Sequence, residues 1–591
     1  MFFSNKILMI LTKTKTMSSY FEALDLALPS NTVEEKVRNE VLSRVPWTPT
    51  PTTRVSYVAS NRVLIIASLE KAQQVESRLD KKLVSYIAIP AERSGLAAVS
   101  NAWKVRNLSL NGYLGKFHAM IDSDGGNATD SELNNLGKIL NIENGLFDHI
   151  IDGSDEPLLT AAVKPPGYYY IGRANQDTSS GTDDGKYDPA LELAVESIPD
   201  FIGEFEKPRF FDYNPDICAH GRSGIPGCTR CLDACPTEAI ISIGDQIEIN
   251  PHLCQGGGTC ASSCPSGAIA YVYPKSEEQL KLLRQLTREM RISLQTTANQ
   301  PLGITCLIFD NENGREKIED ELECLPKNIV PLVVEEIGSV GLDFMSCALA
   351  YGINRLYLYV PVNTPKQVRD TLWKHQNLMM NVIDQLGLEG YSIEMVEDIT
   401  NLRDIVTDNI VVDEAARFAA VGNKRSTIRS ALSHLNEISG KAKEVISLQS
   451  GALFGRINVA LDSCTLCMGC VSVCPGNALA AGGDSPALKF VEANCLQCGI
   501  CARACPETAI ELEPRLHFDI NVVNKMVTLK EESPFLCVSC SKPFATKAMI
   551  AKMTEKLQGH WMFDNPEAFK RLQMCEDCRV VDMFDKKDMI G

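Results

Sequence analysis

Apolar and polar positions divide the chain into blocks of different period. Arg62-Val-Leu-Ile-Ile-Ala and Leu83-Val-Ser-Tyr-Ile-Ala-Ile are short apolar runs bounded by polar residues and read as strands. From 276 to 299 the spacing turns helical. Segment 303–400 then alternates the two patterns: Gly303-Ile-Thr-Cys-Leu-Ile-Phe, a run at 328–334, a helical stretch near 341–352, and the strand Arg355-Leu-Tyr-Leu-Tyr-Val. Such alternation predicts a small α/β domain on a parallel sheet. A helical pattern over 411–438 follows. Residues 17–50 read as helix and then as a linker, Pro46-Trp-Thr-Pro-Thr-Pro, and Thr178–Gly185 reads as a polar loop.

Two regions interrupt this patterning with cysteine. Residues 464–475 read CTLCMGCVSVCP and residues 495–506 read CLQCGICARACP. Both follow the C-x2-C-x2-C-x3-C-P spacing of an iron–sulfur site, in which three closely spaced thiolates hold one cube and the fourth reaches the other. The spacing assigns Cys464, Cys467, Cys470 and Cys505 to one cluster, and Cys495, Cys498, Cys501 and Cys474 to the other. This stretch resembles the two-cluster bacterial ferredoxins, which implies a compact α+β unit, two [4Fe–4S] clusters and one-electron transfer.

The half-repeat recurs as DACPTEAI at 233–240 and SSCPSGAI at 262–269, but both front halves deviate. Cys218, across the GRSGIPG loop, joins Cys228, Cys231 and Cys264 as one [4Fe–4S] ligand set. The other set holds only Cys254, Cys260 and Cys235, because Gly257 stands where the second thiolate belongs. Loss of that ligand resembles the seven-iron ferredoxins and implies a [3Fe–4S] or labile [4Fe–4S] cluster, with an empty site as the next alternative. His252 and His220 are candidate substitute ligands. Three [4Fe–4S] clusters and this fourth site are the expected complement.

In the tail, Cys537-Val-Ser-Cys540 and Cys575-Glu-Asp-Cys578 form two C-x2-C knuckles, the layout of a closed tetrahedral Zn²⁺ site, although four sulfurs also accept iron. Cys306, Cys324 and Cys347 lie in the α/β segment, which resembles the delta-subunit domain of methyl-viologen-reducing hydrogenase. The full ligand set is missing, and these three read as buried apolar residues. Lys424, Arg425 and Arg429 form a basic patch that reads as a solvated helix face.

With 591 residues, 45% apolar and 23% charged, the chain is ordinary globular material for about three to five domains. The reading is multidomain, α+β and α/β. It has an N-terminal helix and linker (1–52), a mixed domain (53–205), a divergent two-cluster ferredoxin-like unit (206–275), a small α/β domain (276–400), a helical connector (401–455), a two-cluster unit (456–515) and a C-terminal domain with the paired knuckles (516–591). A net charge of −17 argues against nucleic acid and suits docking on a basic redox partner. No apolar run approaches the roughly 18 residues of a membrane span. Twenty-two cysteines without a secretion signal imply metal ligation in a reducing, cytoplasmic setting rather than disulfides. Met17 is a natural start, with the first sixteen residues an extension.

Over most of 55–580 the chain resembles the large ferredoxin-type proteins associated with bacterial molybdenum formate dehydrogenases. The resemblance rests on KPPGYYYIG at 164–172, FFDYNPDICAHG at 210–221 and LQMCEDCRV at 572–580. It implies electron relay between a dehydrogenase subunit and an acceptor. The alternatives are a maturation or scaffold factor and a catalytic subunit with its site in 53–205. That region has no Gly-rich phosphate loop, so an electron carrier is the preferred reading over an enzyme.

Overall fold

The computed structural model describes Leu26, Leu28, Ser30 and residues 32–585, apart from 91–94, 100–101, 106, 123–132, 173–188, 299–302, 312–313, 322–324, 326–328, 403–413, 484 and 564. The expected loop at 178–185 and Cys324 lie outside the described residues, as does nearly all of 1–31.

The N-terminal block is a six-stranded sheet in the order Tyr168–Tyr170, His149–Asp152, Arg62–Ile66, Val84–Pro90, Ala102–Val105, Gly95–Val99. All neighbours are parallel except the last pair. A central parallel strand is covered on both faces, which is why Arg62–Ile66 is continuously apolar after its first residue. Val63 and Ile65 pack under the helices Leu69–Arg78 and Pro189–Ser197, whereas Leu64 and Ile66 face Phe117 and Phe147. An antiparallel pair, Arg54–Ala59 with Gly203–Pro208, leads from this block into the first ferredoxin unit.

A second sheet forms the centre of the molecule, in the order Ile329–Val334, Ile304–Asp310, Ile353–Tyr359, Ser392–Val396, with every neighbour parallel. Helices Ser276–Ala298, Leu342–Ala350 and Lys366–Leu386 enclose it. Cys306 and Cys347 are 1% and 0% exposed in this core, where they fill space as small apolar groups. The helix Val33–Arg44, begun by a capping box between Thr32 and Glu35, adds Val37, Val41 and Leu42 to the same core.

One expected helix is shorter than its pattern. Of the stretch read as helical over 411–438, Lys424–Ile438 is a helix and 414–423 is not helical. Gly422 adopts φ 113°, and the Asn423 side chain accepts from Ser426 N at 2.8 Å, so the helix begins at its cap. Among the described residues, no helix is long and apolar enough to cross a membrane.

Candidate iron–sulfur and metal centres

In the second unit, Gly455–Val459 pairs with Ile510–His517 and Leu479–Ala481 pairs with Ala487–Phe490. These strands and the one-turn helices Gly469–Ser472 and Ile500–Arg503 surround two hollows of about 20 Å³ each. One hollow is lined by Cys464, Cys467, Cys470 and Cys505, the other by Cys474, Cys495, Cys498 and Cys501. Each is otherwise walled mainly by apolar side chains such as Leu488 and Ile510, or Leu479 and Phe490. Burial and, after it, the neighbouring cysteines of the same hollow together push the thiols of Cys470 and Cys501 up to about 12. Several thiolates in a low-dielectric hollow are stable only with a cation among them, so this donor set fits an iron–sulfur cluster.

The loop backbone follows the same repeat. Leu466 and Met468 have φ 55° and 59°, and Gln497 and Gly499 have 52° and 77°. In each loop the left-handed residues flank the second cysteine. The residue three after each closing cysteine is also left-handed: Asn477 (50°) and Thr508 (51°). Backbone amides point at the sulfurs, with Ala478 N and Ala509 N each 3.3 Å from Cys474 Sγ and Cys505 Sγ.

The first unit repeats this geometry with altered residues. Burial and, after it, the thiols of Cys228, Cys264 and Cys218 together push Cys231 up to about 12. Cys260 is likewise pushed up by burial and then by Cys254, Cys235 and, last, Cys231. The structure therefore gathers the cysteines of 218–264 into one group of four and one of three. In the three-cysteine loop Gly256 and Gly258 take φ 84° and 75°, again flanking the second ligand position, and Glu238 and Gly267 are left-handed after the closing cysteines (50° and 78°). A Cβ on Gly256 would meet the Phe210 ring at 2.7 Å, and one on Gly258 would meet Ser339 at 2.7 Å. Gly257 escapes both restrictions: its φ is ordinary, and a Cβ would meet only Pro236 Cγ, at 3.8 Å. The cluster-loop winding is kept, and only the second thiolate is gone.

Both candidate histidines have other partners. His220 uses both ring nitrogens, Nδ1 to Cys228 O at 3.0 Å and Nε2 to Ser242 Oγ at 2.7 Å. His252 Nε2 lies 3.2 Å from Ser56 O, and its ring stacks on Tyr113 with centroids 4.2 Å apart. That second contact belongs to an interface that local spacing did not reveal. Tyr57 donates to His252 O at 2.6 Å, Lys207 donates to Cys254 O at 2.6 Å, and Val163 N, beside the KPPG stretch, donates to Pro236 O at 2.9 Å. The N-terminal block thus closes over the three-cysteine group.

The two units touch. Burial raises Cys228, and the charges that add to it belong to Cys264 and, across the junction, to Cys498 of the second unit. Arg503 Nε donates to Pro226 O at 2.8 Å, and Gly227 leaves room for Ile500, whose Cδ1 would lie 2.6 Å from a Cβ there. The basic patch is not a solvated face. Lys424 Nζ donates to Ala261 O and Ser262 O at 2.8 and 2.6 Å, and Arg425 donates to Leu453 O and Cys495 O at 2.7 and 2.8 Å. Arg425 and Arg429 both lie 4.7 Å from the Phe454 ring centroid. Carbonyl groups compete successfully with water because these cations are drawn into the junction.

In the tail, the sulfurs of Cys537, Cys540, Cys575 and Cys578 lie within 4.8 Å of one another. Burial pushes Cys537 up, but amides of Cys575, Cys540 and Ser539 outweigh it and hold the thiol at about 6. Thr546 donates to Thr465 O at 2.8 Å, so this domain leans on the loop between Cys464 and Cys467.

Comparison with known families agrees with this part of the geometry. Residues 463–510 match the 4Fe-4S dicluster domain, and residues 247–270 match the 4Fe-4S binding domain. The chain carries two ferredoxin-type 4Fe-4S domains. The second match runs across Gly257, consistent with the retained winding. No curated protein matches the chain. Iron–sulfur binding, with the one-electron chemistry it supplies, is what these domains indicate.

Proposed function

We propose that the chain relays single electrons through four sites in one line: Cys235/Cys254/Cys260, then Cys218/Cys228/Cys231/Cys264, then Cys474/Cys495/Cys498/Cys501, then Cys464/Cys467/Cys470/Cys505. Iron–sulfur clusters held there would supply the one-electron steps, three of them [4Fe–4S] and the three-cysteine site [3Fe–4S] or a labile [4Fe–4S]. The observation that carries this reading is that the two units abut, Arg503 Nε donating to Pro226 O at 2.8 Å, with Cys231, Cys498 and Cys470 acting electrostatically on Cys260, Cys228 and Cys501 of the neighbouring sets. The cysteines hold the groups, Lys424 and Arg425 fix the spacing of the units, and the apolar walls shield Cys470 and Cys495, while Cys467 stays exposed.

The tail cysteines would hold Zn²⁺ in a closed structural site, since four sulfurs leave no open position. The partner would be a redox protein such as a dehydrogenase subunit. A maturation or scaffold role is the rival reading. Cys498→Ser separates them: a relay loses transfer between the units while the first unit keeps its clusters, whereas a scaffold loses partner assembly without any transfer to lose. Reduction of the first unit's clusters that never passes to the second in the native chain would overturn the relay.

A further inference from the structure

Three of the cysteine loops meet the same kind of group at the same place. Lys207 Nζ donates to Cys254 O at 2.6 Å and to His252 O at 2.9 Å. Arg425 donates to Cys495 O at 2.8 Å and to Ala493 O at 3.3 Å. Lys530 Nζ donates to Cys464 O at 2.5 Å and to Leu461 O at 2.7 Å. Each cation thus takes the carbonyl of the first cysteine of its loop and one two or three residues before it. The three come from unrelated elements: the strand Gly203–Pro208, the first turn of the helix Lys424–Ile438 and the strand Val527–Glu531. They stand 47, 70 and 66 residues from the cysteines they reach, so no local repeat carries them. In the remaining set, Cys228 O is met by His220 Nδ1 at 3.0 Å.

A loop carbonyl needs only a neutral donor or water, whereas a sheltered cation is costly to hold. Lys207 is 2% exposed and the Lys530 side chain 10%. A charge placed there is weakly screened by salt. Its recurrence at one loop position, supplied from three elements, points to a use for the charge beyond the hydrogen bond. A cluster gains one negative charge with each electron, and a positive charge beside its ligand favours that reduced form. Burial raises the Cys495 thiol, and after the Gln497 hydrogen bonds the Arg425 charge acts against it, favouring negative charge at that sulfur. We propose that Lys207, Arg425 and Lys530 set potentials, each raising the reduction potential of the cluster whose opening cysteine it holds. Glu532 lies 2.7 Å from Lys530 and offsets part of that charge. The proposal rests on the clusters of the relay reading but not on transfer between them, because mediator dyes read each cluster at equilibrium.

The test is a redox titration of the full chain, purified without air, with dithionite as reductant, mediator dyes, and EPR to follow each cluster. Every reduction passes one electron from a mediator into one cluster. Lys530→Met should make one [4Fe–4S] cluster harder to reduce by tenfold or more, about 59 mV for one electron, with the other signals in place. Glu532→Gln should move the same signal the opposite way, and Lys530→Arg should restore it. Lys207→Met should act in the same sense on the three-cysteine site alone. A purely structural staple would not give opposite shifts from the two members of one ion pair. Unmoved potentials in Lys530→Met and Glu532→Gln, at the parent's iron content, would overturn the proposal. So would equal shifts of every cluster in one variant. A parent chain that binds no iron would overturn both this proposal and the cluster reading beneath it, whereas failed transfer between the units would touch the relay alone.

Discussion

Lys424 and Arg425 are consecutive in the chain, yet they hold different ferredoxin units. Lys424 reaches Ala261 O and Ser262 O, just before Cys264, and Arg425 reaches Leu453 O, Ala493 O and Cys495 O. Both sit in the first turn of the helix Lys424–Ile438, so one helix sets the separation of the units. Replacing Arg425 by Met would leave three carbonyls without their charged donor. The loss should be about 3 kcal/mol or more, concentrated in the second unit. Anaerobic thermal unfolding of Arg425→Met checks this, and a midpoint equal to the parent's would contradict the staple.

His149 gives the N-terminal sheet an acid limit. It is 0% exposed beside Arg62–Ile66, and burial lowers its imidazole to about 4 against an ordinary 6.5. Above 6.5 the ring is neutral in both folded and unfolded chains, so it adds no pH dependence. Below 6.5 the unfolded chain takes up a proton that the folded one refuses, so stability falls as pH drops towards 4. The full loss is about 3 kcal/mol. Hydrogen exchange in peptides covering 54–72 should quicken over this window, and His149→Phe should flatten the profile. An unchanged profile in the variant would assign the acid response to other groups.

The tail site should take one zinc per chain. Cys540→Ser breaks the four-sulfur set, and metal analysis of protein prepared without air should show zinc falling by one with iron unchanged. Iron falling instead would make this an iron centre.

Gly257 supplies a gain-of-ligand test. The loop around it keeps the left-handed residues that flank Cys467 and Cys498, and a Cβ fits there without a clash. Gly257→Cys should therefore add about one iron and remove the oxidised three-iron EPR signal expected of the parent. A parent that is EPR-silent when oxidised and already holds four cubes would end the missing-ligand reading.

The parts of this molecule that were legible in the sequence are those set by neighbours along the chain. The thiol spacing at 464–505 and the apolar strands at 62–66 and 304–310 depend on local period, and each appears where that period places it. The helix before the second unit was misjudged at its start because its apolar pattern ran past the Gly422–Asn423 stop. What the pattern could not carry is contact across distance. Tyr57 on His252 spans 195 residues, and Lys424 on Ala261 spans 163. Lys424 and Arg425 looked like a solvated face because nothing local marks a cation whose partners are distant carbonyls.

The most direct test of the relay is an anaerobic reductive titration of the full chain followed by EPR. Four sites in line predict reversible uptake of about four electrons per chain, one per cluster, with signals broadened by coupling between reduced neighbours. Cys498→Ser should take up about one electron fewer and lose the coupling between the two units. Irreversible uptake, or four signals that add as independent centres, would contradict a continuous relay.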